Sequence, residues 1–376
     1  MSEKKYAYIV GAGLTKALEG RLPVPLMVDF ILVMTEYIQN PVARAALARL
    51  VQHENVWGWP LATELRDFPK HSGAQPIDPL YLERVARLIK RLPARNIEEV
   101  LVEFDQGPDW SLGRRFAFAI NQIFSLTDSS LEYCHLETFL RSQFAMGGKH
   151  TFISFNYDVA LDKCLQRVSK DFASPKWRPS EGYGFVAATW DRGTGALDVN
   201  KRSGSSQVIL LKPHGSLSWL VPFTENYRFK NQTPMVIVDG ADDLVAYHPE
   251  FEELFLNLGQ NGVFVIPPGG GQSYDRATEM PFLQDILRRE EECLQEADEV
   301  FVLGWSLPRT DGDQACLIRT SVARRRTSLE QFTIVNYLAP TQYFDRVVEL
   351  FGVPKGHVNA FNDGFRDFVR GASKGA

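Results

Sequence analysis

The chain has 376 residues, of which 44% are apolar and 23% are charged. This is the composition of an ordinary globular protein, and the length leaves room for about two or three domains. Its 41 Lys and Arg against 46 Asp and Glu give a formal net charge of −5, so no overall positive field favours direct binding of nucleic acid.

The first predicted element is a strand at 6–10, which ends at the motif Gly11-Ala12-Gly13-Leu14-Thr15. Backbone N–H groups and a hydroxyl at this point could hold a pyrophosphate where a helix begins. The third glycine of the dinucleotide fingerprint is replaced by Lys16. Taken alone, the motif therefore favours a tight turn over an ordinary dehydrogenase site.

Residues 26–147 are predicted to form an all-helical insertion. Apolar residues recur there three and four apart in five stretches, at 26–38, 80–92, 97–104, 116–126 and 131–144, with a loop predicted at 68–78. The most apolar early stretch is interrupted by Asp29 and Glu36, and it is shorter than the roughly 18 apolar residues that span a membrane. Because the first residues also lack the apolar run of a secretory signal, we expect a cytoplasmic protein without a membrane partner.

An α/β pattern resumes after this segment. Strands are predicted at 151–155, 207–211, 235–238, 263–266, 299–303 and 332–336, and helices at about 277–297 and 312–326. This alternation favours a doubly wound α/β fold with a mainly parallel sheet and helices on both faces. Residues 1–25 and 148–376 are therefore predicted to form one α/β domain around the insertion.

Polar side chains follow two of these strands. Asn156 could orient a ribose hydroxyl or a water molecule, whereas Asp158 is predicted chiefly to cap the next helix. His214 follows the strand at 207–211, where it could take up a proton near neutral pH. The alternative for His214 is an ordinary loop histidine.

The later strands end in a similar way. Gly304 follows the strand at 299–303, and Ser306 and Asp311 come a few residues later. Asp311 could simply cap the next helix, and Asn336 could bind a ribose or end its strand. These residues predict a third part of a ligand site at the carboxyl edge of the sheet.

No metal site is predicted. The cysteines Cys134, Cys164, Cys293 and Cys316 lack the close spacing of a zinc site or a redox dithiol, and no HExxH motif is present. The simplest interpretation is four buried thiols in a reducing compartment.

Taken in order, the strand-end motifs resemble the sirtuin-like domain, most closely that of bacterial antiphage NAD hydrolases of Thoeris-type and ATPase-partnered systems. The resemblance covers about 5–25 and 148–345. It depends on the ordered set Gly11-Ala12-Gly13, Phe155-Asn156-Tyr157-Asp158, Lys212-Pro213-His214-Gly215-Ser216-Leu217-Ser218-Trp219, Ile266-Pro267-Pro268, Gly304-Trp305-Ser306-Leu307-Pro308-Arg309-Thr310-Asp311 and Val335-Asn336.

This resemblance implies a Rossmann-like site for NAD as the substrate. Asn156 and His214 match the catalytic residues of the family. The residues implied to contact the dinucleotide are Gly11, Ala12, Gly13, Thr15, Asp158, Gly304, Ser306, Asp311 and Asn336. The paired cysteines of the deacylase zinc ribbon are missing, and Phe155 replaces the glutamine common in deacylases, which argues against protein deacylation.

The expected activity is cleavage of the nicotinamide–ribose bond to give nicotinamide and ADP-ribose, or a cyclised form. The alternatives are an NAD-dependent protein deacylase and a non-catalytic nucleotide-binding module. We also expect a homo-oligomer whose activity depends on assembly, on a partner ATPase or on a phage-derived activator.

Overall fold

The computed structural model describes residues 3–21, 24, 124, 127–128, 130–174, 176–186, 188–191, 196–198, 207–222, 236–239, 261–265, 280–308, 311–325 and 328–374. The helices predicted at 26–38, 80–92 and 97–104 and the loop at 68–78 lie outside these residues, as does all of 116–126 except residue 124. The domain boundaries remain a prediction for the same reason.

The strands in the described part of the chain are β1 (Lys5–Val10), β2 (Lys149–Ser154), β3 (Ala188–Asp191), β4 (Ala196–Asp198), β5 (Val208–Leu211), β6 (Gly215–Pro222), β7 (Val236–Asp239), β8 (Asn261–Val265), β9 (Glu299–Leu303), β10 (Gln331–Val335) and β11 (Val358–Phe361). Six of them form one sheet in the order β11-β10-β9-β1-β2-β5, and all neighbouring pairs are parallel. The predicted α/β fold with a mainly parallel sheet is confirmed.

The helices are α1 (Ala12–Ala17), α2 (Cys134–Ala145), α3 (Ala160–Val168), α4 (Pro179–Gly182), α5 (Pro281–Glu296), α6 (Gly312–Ala323), α7 (Thr341–Phe351) and α8 (Phe365–Lys374). Helix α2 packs against α3 and α8, whereas α5 packs against α6 and α6 against α7. None of the helices described here is long and apolar enough to cross a membrane.

Aromatic side chains join the sheet to one of these helix layers. Tyr8 stacks on Phe152 at 4.3 Å and on Phe301 at 5.1 Å, and Phe139 of α2 meets the Tyr8 ring edge-on at 6.0 Å. Successive residues of a strand point to opposite faces, so Thr151, which hydrogen-bonds with a side chain of α5, lies on the other face. Helices therefore cover both faces of the sheet.

A second sheet of five strands has the order β4-β3-β7-β6-β8 and mixed directions. It contains the strands predicted at 235–238 and 263–266, and nothing in the sequence pattern predicts that they leave the parallel sheet. Only residues 212–214 separate β5 from β6. A parallel neighbour needs a connection of about a dozen residues or more, so β6 cannot lie beside β5 as a further parallel strand.

The order of the parallel sheet reverses next to its first strand. The chain runs from β1 outward to β2 and β5, and then returns to β9 on the other side of β1 before it continues to β10 and β11. Val10 and Leu303 are paired at the carboxyl ends of β1 and β9. In open α/β sheets a ligand crevice lies at such a reversal, which places the candidate site at this edge.

Candidate functional site

Two glycine turns touch each other where the strand order reverses. Gly13 N–H donates to Gly304 O at 2.9 Å, and Gly11 N–H donates to Leu303 O at 3.1 Å. A Cβ on Gly304 would lie 2.3 Å from Leu14 N, and Gly304 has a φ of +63°. Glycine is therefore required for the two backbones to meet. Because the Gly11 and Gly13 N–H groups already donate within the protein, they are not free to hold phosphate in this conformation.

The other two predicted phosphate contacts in this turn lie in different surroundings. Ala12 is exposed as the first residue of α1, whereas Thr15 is buried. The Thr15 hydroxyl donates to Asp158 Oδ2 at 2.9 Å and accepts from Asn156 Nδ2 at 3.0 Å. Thr15 thus links the β1 turn to the end of β2 instead of pointing to the surface.

Asn156 is buried two residues after β2 and is held against the β1 turn. Its Nδ2 also donates to Gly11 O at 3.1 Å. A carbonyl oxygen can only accept, so this contact fixes which end of the amide faces Gly11. Both amide hydrogens are then used inside the protein. A ligand can therefore meet this side chain only at Oδ1, which acts as an acceptor.

The sequence predicts that Asp158 caps the next helix, but the N-cap residue is Val159 and Asp158 lies one residue earlier. Helix α3 begins at Ala160, whose N–H donates to Asp158 Oδ1 at 3.0 Å. Burial raises the pKa of this carboxyl, and the nearby ammonium group of Lys212 opposes that rise. With both oxygens engaged by Thr15 and Ala160, Asp158 organises the loop that carries Asn156.

A buried polar network lies beneath this loop, and the sequence interpretation missed it. Lys212 is fully buried; its Nζ donates to Asp158 O at 2.5 Å and to Asp162 Oδ2 at 3.1 Å. Tyr183 donates to the other oxygen of Asp162 and also lies 3.5 Å from Ser218 Oγ. The sequence contained one indication of this network, a lysine directly after an apolar strand, since a buried lysine needs a carboxylate partner. Nothing in the sequence singled out Asp162 among the acidic residues.

His214 lies in the turn between β5 and β6 and is 1% exposed. The preceding strand β5 pairs with β2, and the last residue pair is Ile153 with Leu211. Asn156 and His214 each come three residues after their member of this pair. The imidazole meets the edge of Phe155 at 5.4 Å, and Phe155 is the residue before Asn156. The two predicted catalytic side chains therefore occupy adjacent strand ends.

A carboxylate from the loop after β9, on the other side of β1, faces this histidine. His214 Nε2 lies 3.7 Å from Asp311 Oδ1, and Asp311 Oδ2 accepts a hydrogen bond of 2.8 Å from Trp305 Nε1. Burial raises the pKa of Asp311, while His214 and the Trp305 hydrogen bond lower it. Asp311 precedes α6, but its side chain makes no capping bond there.

The remaining predicted residues lie further along the same edge. Ser306 is exposed on the turn after β9. Asn336 directly follows β10, and its Oδ1 accepts from Tyr337 N at 2.8 Å. Tyr343 also hydrogen-bonds with Asn336 and donates to Trp305 O, which ties the β10 end to the β9 turn. All of the predicted site residues thus lie at or beside the carboxyl ends of strands in one sheet.

Among the described residues, no group of three or more His, Cys, Asp or Glu side chains could hold a metal ion. All four cysteines are free thiols, but the prediction that they are buried is confirmed only for Cys164, and Cys293 is half-buried. Cys164 is buried, whereas Cys134 and Cys316 are exposed. Both lie on outward faces of amphipathic helices, which spacing in the sequence alone does not show.

No protein-family model matches the chain, and no curated protein does either. Among solved structures, a chain from work on the mechanism and regulation of Sir2 enzymes is 12% identical, with a TM-score of 0.38 over 100% of this chain and 94% of that chain. A chain from work on sirtuin substrate affinity is 13% identical, with a TM-score of 0.33 over 100% and 95%. Cytosolic 5′-nucleotidase IIIB bound to cytidine is 11% identical, with a TM-score of 0.34 over 99% and 86%. The identities and TM-scores of these three chains are similar. The fold is therefore assigned from the strand order of this chain alone.

Proposed function

We propose that this protein hydrolyses NAD at the nicotinamide–ribose bond. The observation that carries the proposal is the position of Asn156 and His214 at the ends of the neighbouring strands β2 and β5, beside the reversal in strand order between β1 and β9. An amide acceptor and an imidazole at this position suit a ribose whose dinucleotide lies along the carboxyl edge of the sheet. The ordered motifs that resemble sirtuin-like NAD hydrolases support the same assignment.

The chemistry of this cleavage fits the side chains of the site. The C1′–N bond breaks, its electron pair neutralises the pyridinium ring and nicotinamide leaves as a neutral molecule. Water then bonds to C1′ and loses a proton to His214, which later returns it to solvent; the net reaction is NAD⁺ plus water to nicotinamide, ADP-ribose and a proton. Asn156 Oδ1 orients the ribose hydroxyl or the water. The protein contributes position, charge stabilisation and exclusion of bulk water.

The direct test follows nicotinamide release from NAD without any peptide. Loss of a general base lowers the reaction rate about 10²- to 10⁴-fold, so His214→Ala should lose most of its activity. Asn156→Ala should lose most of its activity as well. The matched controls are His357→Ala and Asn359→Ala, which replace exposed residues at β11 and should keep full activity. Full activity in folded Asn156→Ala and His214→Ala would reject the assigned roles.

Two other outcomes would assign the protein to a different class. Release that occurs only with an acylated peptide would identify a deacylase. Saturable NAD binding without turnover would identify a nucleotide-binding module. Mass spectrometry of the products distinguishes ADP-ribose from a cyclised form.

We further propose that NAD depletion serves defence against phage and that the basal rate is low. A constantly active enzyme would drain the NAD of its own cell, so the rate should rise when subunits assemble or when a partner ATPase or phage component binds. Turnover should therefore be compared between the monomeric and oligomeric fractions. High turnover by the isolated monomer that assembly does not change would contradict this regulation.

A further inference from the structure

Asp311 and His214 follow strands on opposite sides of β1 and meet inside the protein. Their side chains are 4% and 1% exposed, and His214 Nε2 lies 3.7 Å from Asp311 Oδ1. His214 follows β5, whereas Asp311 lies between β9 and α6, so only the tertiary fold brings them together. The resemblance implies a dinucleotide contact for Asp311, but its carboxylate faces the imidazole.

The surroundings of His214 make a carboxylate useful. Phe155 and Tyr157 place their rings within 5.4 Å and 6.4 Å of the imidazole. An imidazole removed from water in this way favours its neutral form, and it loses the solvent that would stabilise the cation formed on accepting a proton. A buried carboxylate at 3.7 Å supplies that stabilisation, because opposite charges interact strongly where water is excluded.

Asp311 is itself held in place. Its second oxygen accepts from Trp305 Nε1 at 2.8 Å, and Tyr343 donates to Trp305 O. Among the residues that the structure describes, the titratable groups that act on Asp311 are His214 and, from α5, Glu290. The carboxylate therefore has a fixed position with one oxygen directed to the imidazole.

We infer that Asp311 is a positioning residue that orients His214 and stabilises its imidazolium form during NAD cleavage. This inference rests on the proposed function for the step in which His214 accepts a proton. The pairing of the two side chains can be measured without any turnover. A dinucleotide contact would act on substrate binding, whereas a positioning residue acts on the catalytic step.

Asp311→Asn separates these roles, because asparagine keeps the volume and can still accept from Trp305 while it removes the charge. We expect kcat to fall about tenfold to a hundredfold and KM to stay within about twofold. The acid limb of the rate profile should move to lower pH by about one pH unit, since the neutral imidazole is then reached at lower pH. Asp313→Asn removes the same charge from the first turn of α6 and should leave kcat, KM and the acid limb unchanged.

The second measurement is the titration of His214 by NMR in ¹⁵N-histidine-labelled protein, with its signal assigned by its loss in His214→Gln. The midpoint should fall by about one pH unit in Asp311→Asn and stay constant in Asp313→Asn. An unchanged midpoint in Asp311→Asn, or a raised KM with an unchanged kcat, would overturn the inference. If the wild type releases no nicotinamide in either its monomeric or its oligomeric fraction, the proposed function fails, yet the NMR titration still decides whether the pair exists.

Discussion

Burial of Glu290 should make the free energy of unfolding of this protein depend on pH. Glu290 lies on the inner face of α5 and is completely buried, and within the described residues neither carboxylate oxygen has a hydrogen-bond partner. Burial, followed by the nearby Glu291 and Asp311, raises its pKa from the ordinary 4.5 to about 8. The folded protein therefore holds this side chain as a neutral acid over a range in which the unfolded chain ionises it.

The sign of the effect follows from linkage. Below pH 4.5 the side chain is protonated in both states, so its ionisation does not change stability. Between pH 4.5 and about 8 only the unfolded state releases the proton, so stability falls as the pH rises. At about 1.4 kcal/mol for each pH unit, the full loss above pH 8 is about 5 kcal/mol. Glu290→Gln cannot ionise, so its free energy of unfolding should lack this loss.

The assay is urea unfolding of wild type and Glu290→Gln at pH 5 and pH 9. The variant should have nearly the wild-type stability at pH 5 and exceed it by several kcal/mol at pH 9, up to about 5 kcal/mol. The control is Glu292→Gln, an exposed residue of the same helix paired with Arg288, which should change stability by less than about 1 kcal/mol at either pH. An equal difference between Glu290→Gln and wild type at both pH values would refute the reasoning.

Two further substitutions test the architecture of the site. Gly304→Ala should cost about 3 kcal/mol or more in the free energy of unfolding, because its Cβ would lie 2.3 Å from Leu14 N and its φ of +63° disfavours side chains; a normal urea midpoint would contradict this. Lys212→Met should cost about 3–5 kcal/mol because it leaves the buried Asp162 carboxylate without its cation, and adding Asp162→Asn should recover part of the loss. A loss below about 1 kcal/mol in the single variant, measured by urea unfolding, would show that the ion pair is not needed.

The sequence by itself determined five of the six strands of the parallel sheet and the glycine turns that follow two of them, whereas the edge strand β11 was not predicted. The apolar runs at 6–10 and 299–303 correspond to β1 and β9, and Gly11 and Gly304 mark their ends. These features are local, because a buried strand needs a continuous apolar stretch and a tight turn needs a glycine. Asn156 and His214 could be selected as candidates for the same reason, since each lies two or three residues after the end of such a strand.

Only the tertiary structure decided which polar groups face one another. The second sheet, the buried pair of Lys212 with Asp162 and the contact of His214 with Asp311 join segments whose separation along the chain carries no local signal. Strand order sets these contacts: the chain crosses back past β1 to form β9, and this brings Asp311 over His214. The periodicity of apolar residues along the sequence predicts which residues are buried. The partner of each buried charge depends instead on how strands and helices distant in sequence pack together.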